Sequence, residues 1–148
     1  MRPAYVLVFA ASFGTILTGS AMAGSARCVA YDPTVVTLSG TLIRMTHAGP
    51  PNYESIKDGD APETYLHLRL ATPICTTDAG DGINGALDGV TEVQLNLTAS
   101  GYSGLRPRLG QRVTVSGKLY AAHSGHHYSP LVMGEVRVLL PNPSLERP

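Results

Sequence analysis

Five stretches of this chain alternate apolar and polar residues at every second position, and this pattern limits the fold more than any other feature. They are Val36-Thr-Leu-Ser-Gly-Thr-Leu42 running on toward Met45, Tyr65-Leu-His-Leu-Arg-Leu70, Glu92-Val-Gln-Leu-Asn-Leu97, Arg112-Val-Thr-Val-Ser-Gly-Lys-Leu119, and Leu131 to Leu140. Successive side chains of an extended strand point to opposite faces, so each stretch has one apolar face and one polar face. A closed sheet, dry inside and wetted outside, satisfies five such strands. Between the third and fourth lies Ala99-Ser-Gly-Tyr-Ser-Gly-Leu-Arg-Pro-Arg-Leu109. It is too rich in glycine for a long helix, but one short helical turn there would plug a barrel end with Tyr102, Leu105 and Leu109. The order strand, strand, strand, short helix, strand, strand is that of an OB-fold. The expected fold is therefore all-β: a five-stranded, OB-like small barrel with one short helical turn between strands three and four.

An internal echo supports that order. Val36-Thr-Leu-Ser-Gly-Thr-Leu42 and Val113-Thr-Val-Ser-Gly-Lys-Leu119 agree at five of seven positions. Gly40 and Gly117 then occupy equivalent places in strands one and four, which are neighbours in an OB barrel. Glycine inside a strand marks a bulge or sharp bend, and small barrels need such corners.

The ends carry a different signal. Arg2, an apolar run from Ala4 to about Leu17 and a small-residue site ending at Ala21-Met-Ala23 have the order of a secretory signal peptide over residues 1–23. The run is broken by Ser12, Gly14 and Thr15 and is short for a membrane span. We expect export to the periplasm or the exterior, no stable membrane insertion after cleavage, one domain over 24–140, and a disordered tail at 141–148. From Gly24 onward about 125 residues remain, enough for one modest core. In an oxidising compartment two cysteines in a small domain generally pair. A Cys28–Cys75 bridge would close a loop of about 48 residues, worth about 4 kcal/mol by chain entropy. Antiparallel pairing of strands one and two sets the start of one beside the end of the other, which makes that bridge geometrically natural.

Charge and aromatics narrow the partners. Arg2 is the only one of the 11 Lys and Arg residues before Gly24, so ten basic side chains face 11 acidic ones in the exported part. Trp is absent, and both Phe residues lie in the leader. A single-strand-binding surface interleaves basic residues with stacking aromatics. This chain has neither in quantity, so a nucleic-acid partner is not expected. An envelope glycan, a small molecule or a protein are the partner classes left, bound by a monomer.

Two connections stand out. Residues 46–64 hold Gly49-Pro-Pro-Asn-Tyr-Glu-Ser-Ile56 and Asp58-Gly-Asp-Ala-Pro-Glu63, where proline favours an ordered loop. Residues 76–90, rich in Gly and Asp, read as a flexible insertion. Asn96-Leu-Thr98 is formally a glycosylation sequon, placed by the pattern inside the third strand. The Gly49–Ile56 string, Leu109-Gly-Gln-Arg-Val-Thr-Val-Ser-Gly-Lys-Leu119 with Ala122-His-Ser-Gly-His-His127, and Cys28-x-x-Tyr31-x-Pro33 together resemble a bacterial exported family known as a domain of unknown function, DUF4431-like. The resemblance implies no activity. Where such families tend to carry a third His after the glycine, this chain has Tyr128.

The densest chemistry is His123-Ser-Gly-His126-His127 in the loop between strands four and five. In an OB-fold this loop and the loop between strands one and two flank the usual ligand face. The 46–64 and 121–129 loops are therefore the expected binding region, with Tyr53, Glu54, Asp60, Tyr120, His123, His126 and His127 as ligand-contact candidates. Imidazole is a common zinc or copper ligand, so His123, His126 and His127 form the alternative metal site, with Glu54 or Asp60 assisting. Strand alternation opposes convergence, because residues 123 and 127 point one way and 126 the other. The histidines are expected first as loop architecture, hydrogen-bonded to loop carbonyls or to the carboxylates opposite. A weaker alternative is a small hydrolase using two of Glu54, Asp58, Asp60 and Glu63, which needs a set separation across a substrate. With no large aromatics to build a water-excluding cleft, binding is expected ahead of catalysis, and no cofactor beyond that zinc or copper.

Overall fold

The computed structural model describes residues 27–139; the expected leader over 1–23 and the expected tail at 141–148 lie outside them. Six strands are present: β1 (Arg27–Val29), β2 (Val35–Ala48), β3 (Pro62–Thr76), β4 (Val90–Leu95), β5 (Arg112–Ala121) and β6 (Leu131–Leu139), with helix α1 (Ala99–Leu105) between β4 and β5. The sheet order is β1-β3-β2-β5-β6-β4, and β4 pairs again with β3. That last pairing closes β2 to β6 into a five-stranded barrel. Its β4–β6 seam is parallel and its other pairings are antiparallel. This is the OB arrangement expected from the alternation.

The apolar faces meet inside. Leu42, Leu66, Leu68, Val93, Leu95, Val115, Leu119, Leu131 and Met133 are fully buried. Helix α1 closes one end as expected: Leu105 is buried, and Tyr102 and Leu109 pack against the core. Thr98 caps the helix by accepting a hydrogen bond from the Gly101 N–H at 3.2 Å. A side-chain oxygen at this position satisfies one of the donors a helix start leaves free. The third strand therefore ends at Leu95, not Leu97, and the Asn96-Leu-Thr98 sequon leads into a helix instead of lying in a strand.

The two echoed segments pair with each other. Val36 sits opposite Gly117, Leu38 opposite Val115, and Gly40 opposite Val113, so each glycine faces the valine that begins the other copy. Gly40 also pairs with Leu70 of β3, which makes it the point where β2 leaves one neighbour for the other. Gly117 lies where the β5–β6 register shifts between Ser116 and Lys118. A Cβ there would come within 2.5 Å of the Gly134 carbonyl oxygen.

The disulfide joins Cys28 to Cys75, though by a different route from the expected one. Cys28 belongs to β1, an extra strand that pairs in parallel with the end of β3 and sets Cys28 directly opposite Cys75. Strand β3 extends well beyond the alternating pattern. Its last three residues, Ile74, Cys75 and Thr76, are all buried, because other chain covers the face that alternation would have left wet. That cover includes the 77–89 insertion, which is anchored. The Tyr31 hydroxyl donates to the Gly85 carbonyl at 2.7 Å, the Leu87 N–H donates to Thr76 Oγ1 at 2.9 Å, and the Ala121 N–H donates to Asn84 Oδ1 at 2.8 Å.

Candidate functional site

The outer surface of β3 is polar by alternation, with Glu63, Tyr65, His67 and Arg69 sharing one face. Beside it in register are His47 of β2, opposite Glu63, and Glu92 and Gln94 of β4, opposite Arg69 and His67. Such a face should be wet, yet His67 and Gln94 are fully buried. The cause is the β5–β6 loop, residues 122–130, which folds down across it. Gln94 fastens the loop from below: its Nε2 donates to the His126 carbonyl at 2.8 Å, and its Oε1 accepts from the Tyr128 N–H at 2.7 Å. The Ser129 hydroxyl donates to the Glu92 carbonyl at 2.7 Å. A buried amide with both ends satisfied stabilises, whereas an unpaired one costs about 1–3 kcal/mol.

Glu63 is the hub. Its Oε2 accepts from the Tyr128 hydroxyl at 2.8 Å and from the Tyr65 hydroxyl at 3.3 Å, and lies 2.8 Å from His126 Nδ1. The bond from His126 and then that from Tyr128 hold the Glu63 carboxyl below its ordinary range, against the opposing effect of desolvation. An ionised carboxylate only accepts, so Nδ1 of His126 carries the hydrogen and Nε2 is left to face the Tyr53 hydroxyl, 3.5 Å away. The Tyr53 ring meets His126 edge-on, with centroids 5.6 Å apart. The two loops expected to flank a ligand do therefore meet, through Tyr53 and His126.

The other candidates are placed differently. Asp60 is buried and serves its own loop, accepting from the N–H groups of Asn52 at 2.9 Å and of Glu54 and Ser55 at 2.8 Å, with Asn52 Nδ2 at 3.2 Å. The Ser55 N–H leads those of Glu54 and Asn52 in holding its pKa low. Glu54 is exposed, and its backbone N–H ties it to this loop. His123 and His127 turn away from His126: their rings meet at 4.7 Å, each lies 5.5 Å from the Tyr120 ring, and the His123 N–H donates to His127 Nδ1 at 3.1 Å. The named residues thus form two clusters, Tyr53–His126 and Tyr120–His123–His127, on either side of the loop. Among the described residues no group of three or more His, Cys, Asp or Glu side chains is arranged to hold a metal ion. His123, His126 and His127 accordingly do not form a three-imidazole seat in this conformation. Of the four carboxylates, Asp60 and Glu63 are both engaged by hydrogen-bond donors.

Removing Asp60 should release the loop it organises. In Asp60→Ala the amides of Asn52, Glu54 and Ser55 are expected to exchange with solvent much faster, with barrel amides unchanged. Unaltered exchange at those three positions would show that the loop is held by something else.

Acid should loosen the region in two stages. The pKa values of His47, His67 and His127 are lowered, chiefly because burial disfavours the imidazolium. As pH falls below about 6.5 the unfolded chain takes up those protons first, so stability is lost from that pH down to the folded values. Asp60 and Glu63, with depressed values, contribute stability that is complete above the ordinary carboxylate range and is lost as pH falls through their folded values. The urea midpoint is expected to fall first from about pH 6.5 and again below about pH 4. A flat midpoint from pH 7 to 5 would contradict this reading of the histidines.

A groove of about 690 Å³ lies elsewhere, between β1 and the first half of β2, and is lined in part by Val29, Val36, Leu38, Leu70 and Ile74. No described helix is long and apolar enough to cross a membrane.

Fold and surface together define a disulfide-linked OB-like barrel whose outer β3–β4 face is roofed by its own β5–β6 loop. Residues 92–137, from within β4 to within β6, match the family described as Domain of unknown function (DUF4431). The resemblance carried by Leu109–Leu119 and Ala122–His127 falls inside that match, whereas the Cys28–Pro33 and Gly49–Ile56 strings lie outside it. The chain matches no curated protein and no solved structure. Sequence reasoning did not single out Gln94 and Tyr65 for the site. The signal for Tyr65 was present in the polar face of Tyr65, His67 and Arg69; for Gln94 there was none, since its partners are backbone atoms of a distant loop.

Proposed function

We propose that this chain is an exported binding module and that its ligand contact is the seam between the 49–61 and 122–130 loops, formed by Tyr53, His126 and Glu63. The observation that carries the reading is Tyr53. Its backbone lies in the left-handed region at φ 61°, where a non-glycine residue is uncommon, and its side chain is 39% exposed. A strained backbone that holds an aromatic ring at the surface suits recognition better than packing. The ring rests against Gly125, where an added Cβ would come 3.0 Å from it, and it stands beside a histidine whose tautomer is set by Glu63. An aromatic face next to an imidazole and a carboxylate suits a sugar ring, which offers an apolar C–H face and hydroxyl groups. The disulfide supports an oxidising compartment, so the glycan of the cell envelope is the ligand class we favour. Calorimetric titration with soluble peptidoglycan fragments tests this. Binding is expected for the unaltered chain and is expected to be lost in Tyr53→Ala and His126→Ala. Equal binding by all three proteins, or none by any, would contradict it.

A further inference from the structure

His47 and His67, on neighbouring strands of the roofed face, have ring centroids 5.5 Å apart. Tyr128 covers His47, its ring stacked on the imidazole at 4.1 Å and nearly parallel to it. The Nε2 atoms of both imidazoles are buried, and neither has a hydrogen-bond partner among the described residues. A Glu92 oxygen lies 3.0 Å from His67 Nδ1, close enough for a polar contact but off the line of a well-formed hydrogen bond. Because a carboxylate offers only acceptors, the contact places the hydrogen on Nδ1 and leaves His67 Nε2 as a bare lone pair. A carboxylate behind one nitrogen is how proteins prepare the other nitrogen of a histidine for a metal.

The choice of ion follows from how few ligands there are. Among the described residues no third His, Cys, Asp or Glu joins these two in an arrangement that holds an ion. Zinc takes four ligands and would have to complete its shell with water beneath the Tyr128 ring. Monovalent copper is satisfied by two nitrogen donors. We propose that His47 and His67 form a buried two-histidine site for Cu(I), with Glu92 as the positioning residue and Tyr128 as the cover. This site is separate from the Tyr53–His126 seam, and the proposal stands or falls independently of the sugar reading.

The test uses the exported chain with its disulfide intact, under anaerobic conditions without thiols. Cu(I) is supplied as its acetonitrile complex in competition with bicinchoninate. The chain is expected to withhold a single equivalent of copper. His47→Phe keeps a ring beneath Tyr128 but lacks the nitrogen, and is expected to withhold none. Glu92→Gln is expected to weaken binding by about 10- to 100-fold. The combined His123→Ala/His127→Ala variant is expected to bind as the unaltered chain does. Imidazole ¹⁵N spectra of the unaltered protein give a reading that needs no variant: Cu(I) should move Nε2 of His47 and His67 and leave His123 and His127 unmoved. Failure to withhold copper, or shifts confined to the 123–127 histidines, would overturn the proposal.

Discussion

Replacing Cys28 and Cys75 together by alanine is expected to lower the unfolding free energy by about 4 kcal/mol and the melting temperature by about 10–20 °C. The bridge spans a sequence separation of 47 residues, so its loss lets the unfolded chain explore far more conformations. The folded state loses as well. Strand β1 is only three residues long and pairs with β3 alone. The backbone bond from the Thr77 N–H to the Val29 carbonyl, 3.1 Å, depends on the same placement. Amide exchange should therefore quicken at Val29 and Thr77 before it does in the barrel. Urea titrations of the two proteins, with amide exchange on each, check both parts. A loss below about 1 kcal/mol would mean that β1 is held by packing and that the entropy argument fails for this chain.

Gly40→Ala is expected to be nearly as costly, about 3 kcal/mol. A Cβ at Gly40 would collide with the Arg69 carbonyl oxygen and press on Leu68 Cγ at 2.9 Å. The first of these is backbone in a paired strand and cannot swing aside as a side chain can. Relief would require β2 and β3 to separate at the point where β2 turns from one partner to the other. Gly117→Ala should behave alike, its Cβ coming 2.6 Å from Met133 Cγ as well as close to the Gly134 carbonyl. Gly104→Ala serves as the control: nothing lies within 4 Å of that position, and the residue is in α1. A helix interior favours alanine, so this change should be neutral or slightly stabilising. Equal melting of Gly40→Ala and Gly104→Ala would contradict the account of how the barrel bends.

These two sites show what the sequence made legible. The alternation of Val36–Leu42 and Arg112–Leu119 marked strands, and the glycines within them marked the bends, because period and backbone freedom are local properties. The cysteine pairing was legible from the count of two in a small domain. The route of that bridge was not, since Arg27–Val29 is too short to show a period and pairs with residues nearly fifty positions away. The site divides the same way. Alternation around His123–His127 separated His126 from its neighbours, and loop position brought Tyr53 to it. Asp60 looked like a ligand because its composition is that of one; its role as acceptor for three backbone N–H groups depends on a loop conformation that no residue pattern announces. The burial of His67 and Gln94 was hidden for a related reason. Alternation sets them on the wet face, and only the path of the 122–130 loop takes the water away.

The central claim is that the Tyr53–His126 seam is where this module meets its ligand. The most direct measurement is a ¹H–¹⁵N shift map of the chain from Gly24 onward titrated with soluble peptidoglycan fragments. The account predicts shifts concentrated at Tyr53, Gly125, His126 and the amides around Glu63, with β1 and Val35–Ser39 unmoved. Shifts centred on the groove between β1 and β2, with the seam silent, would contradict it.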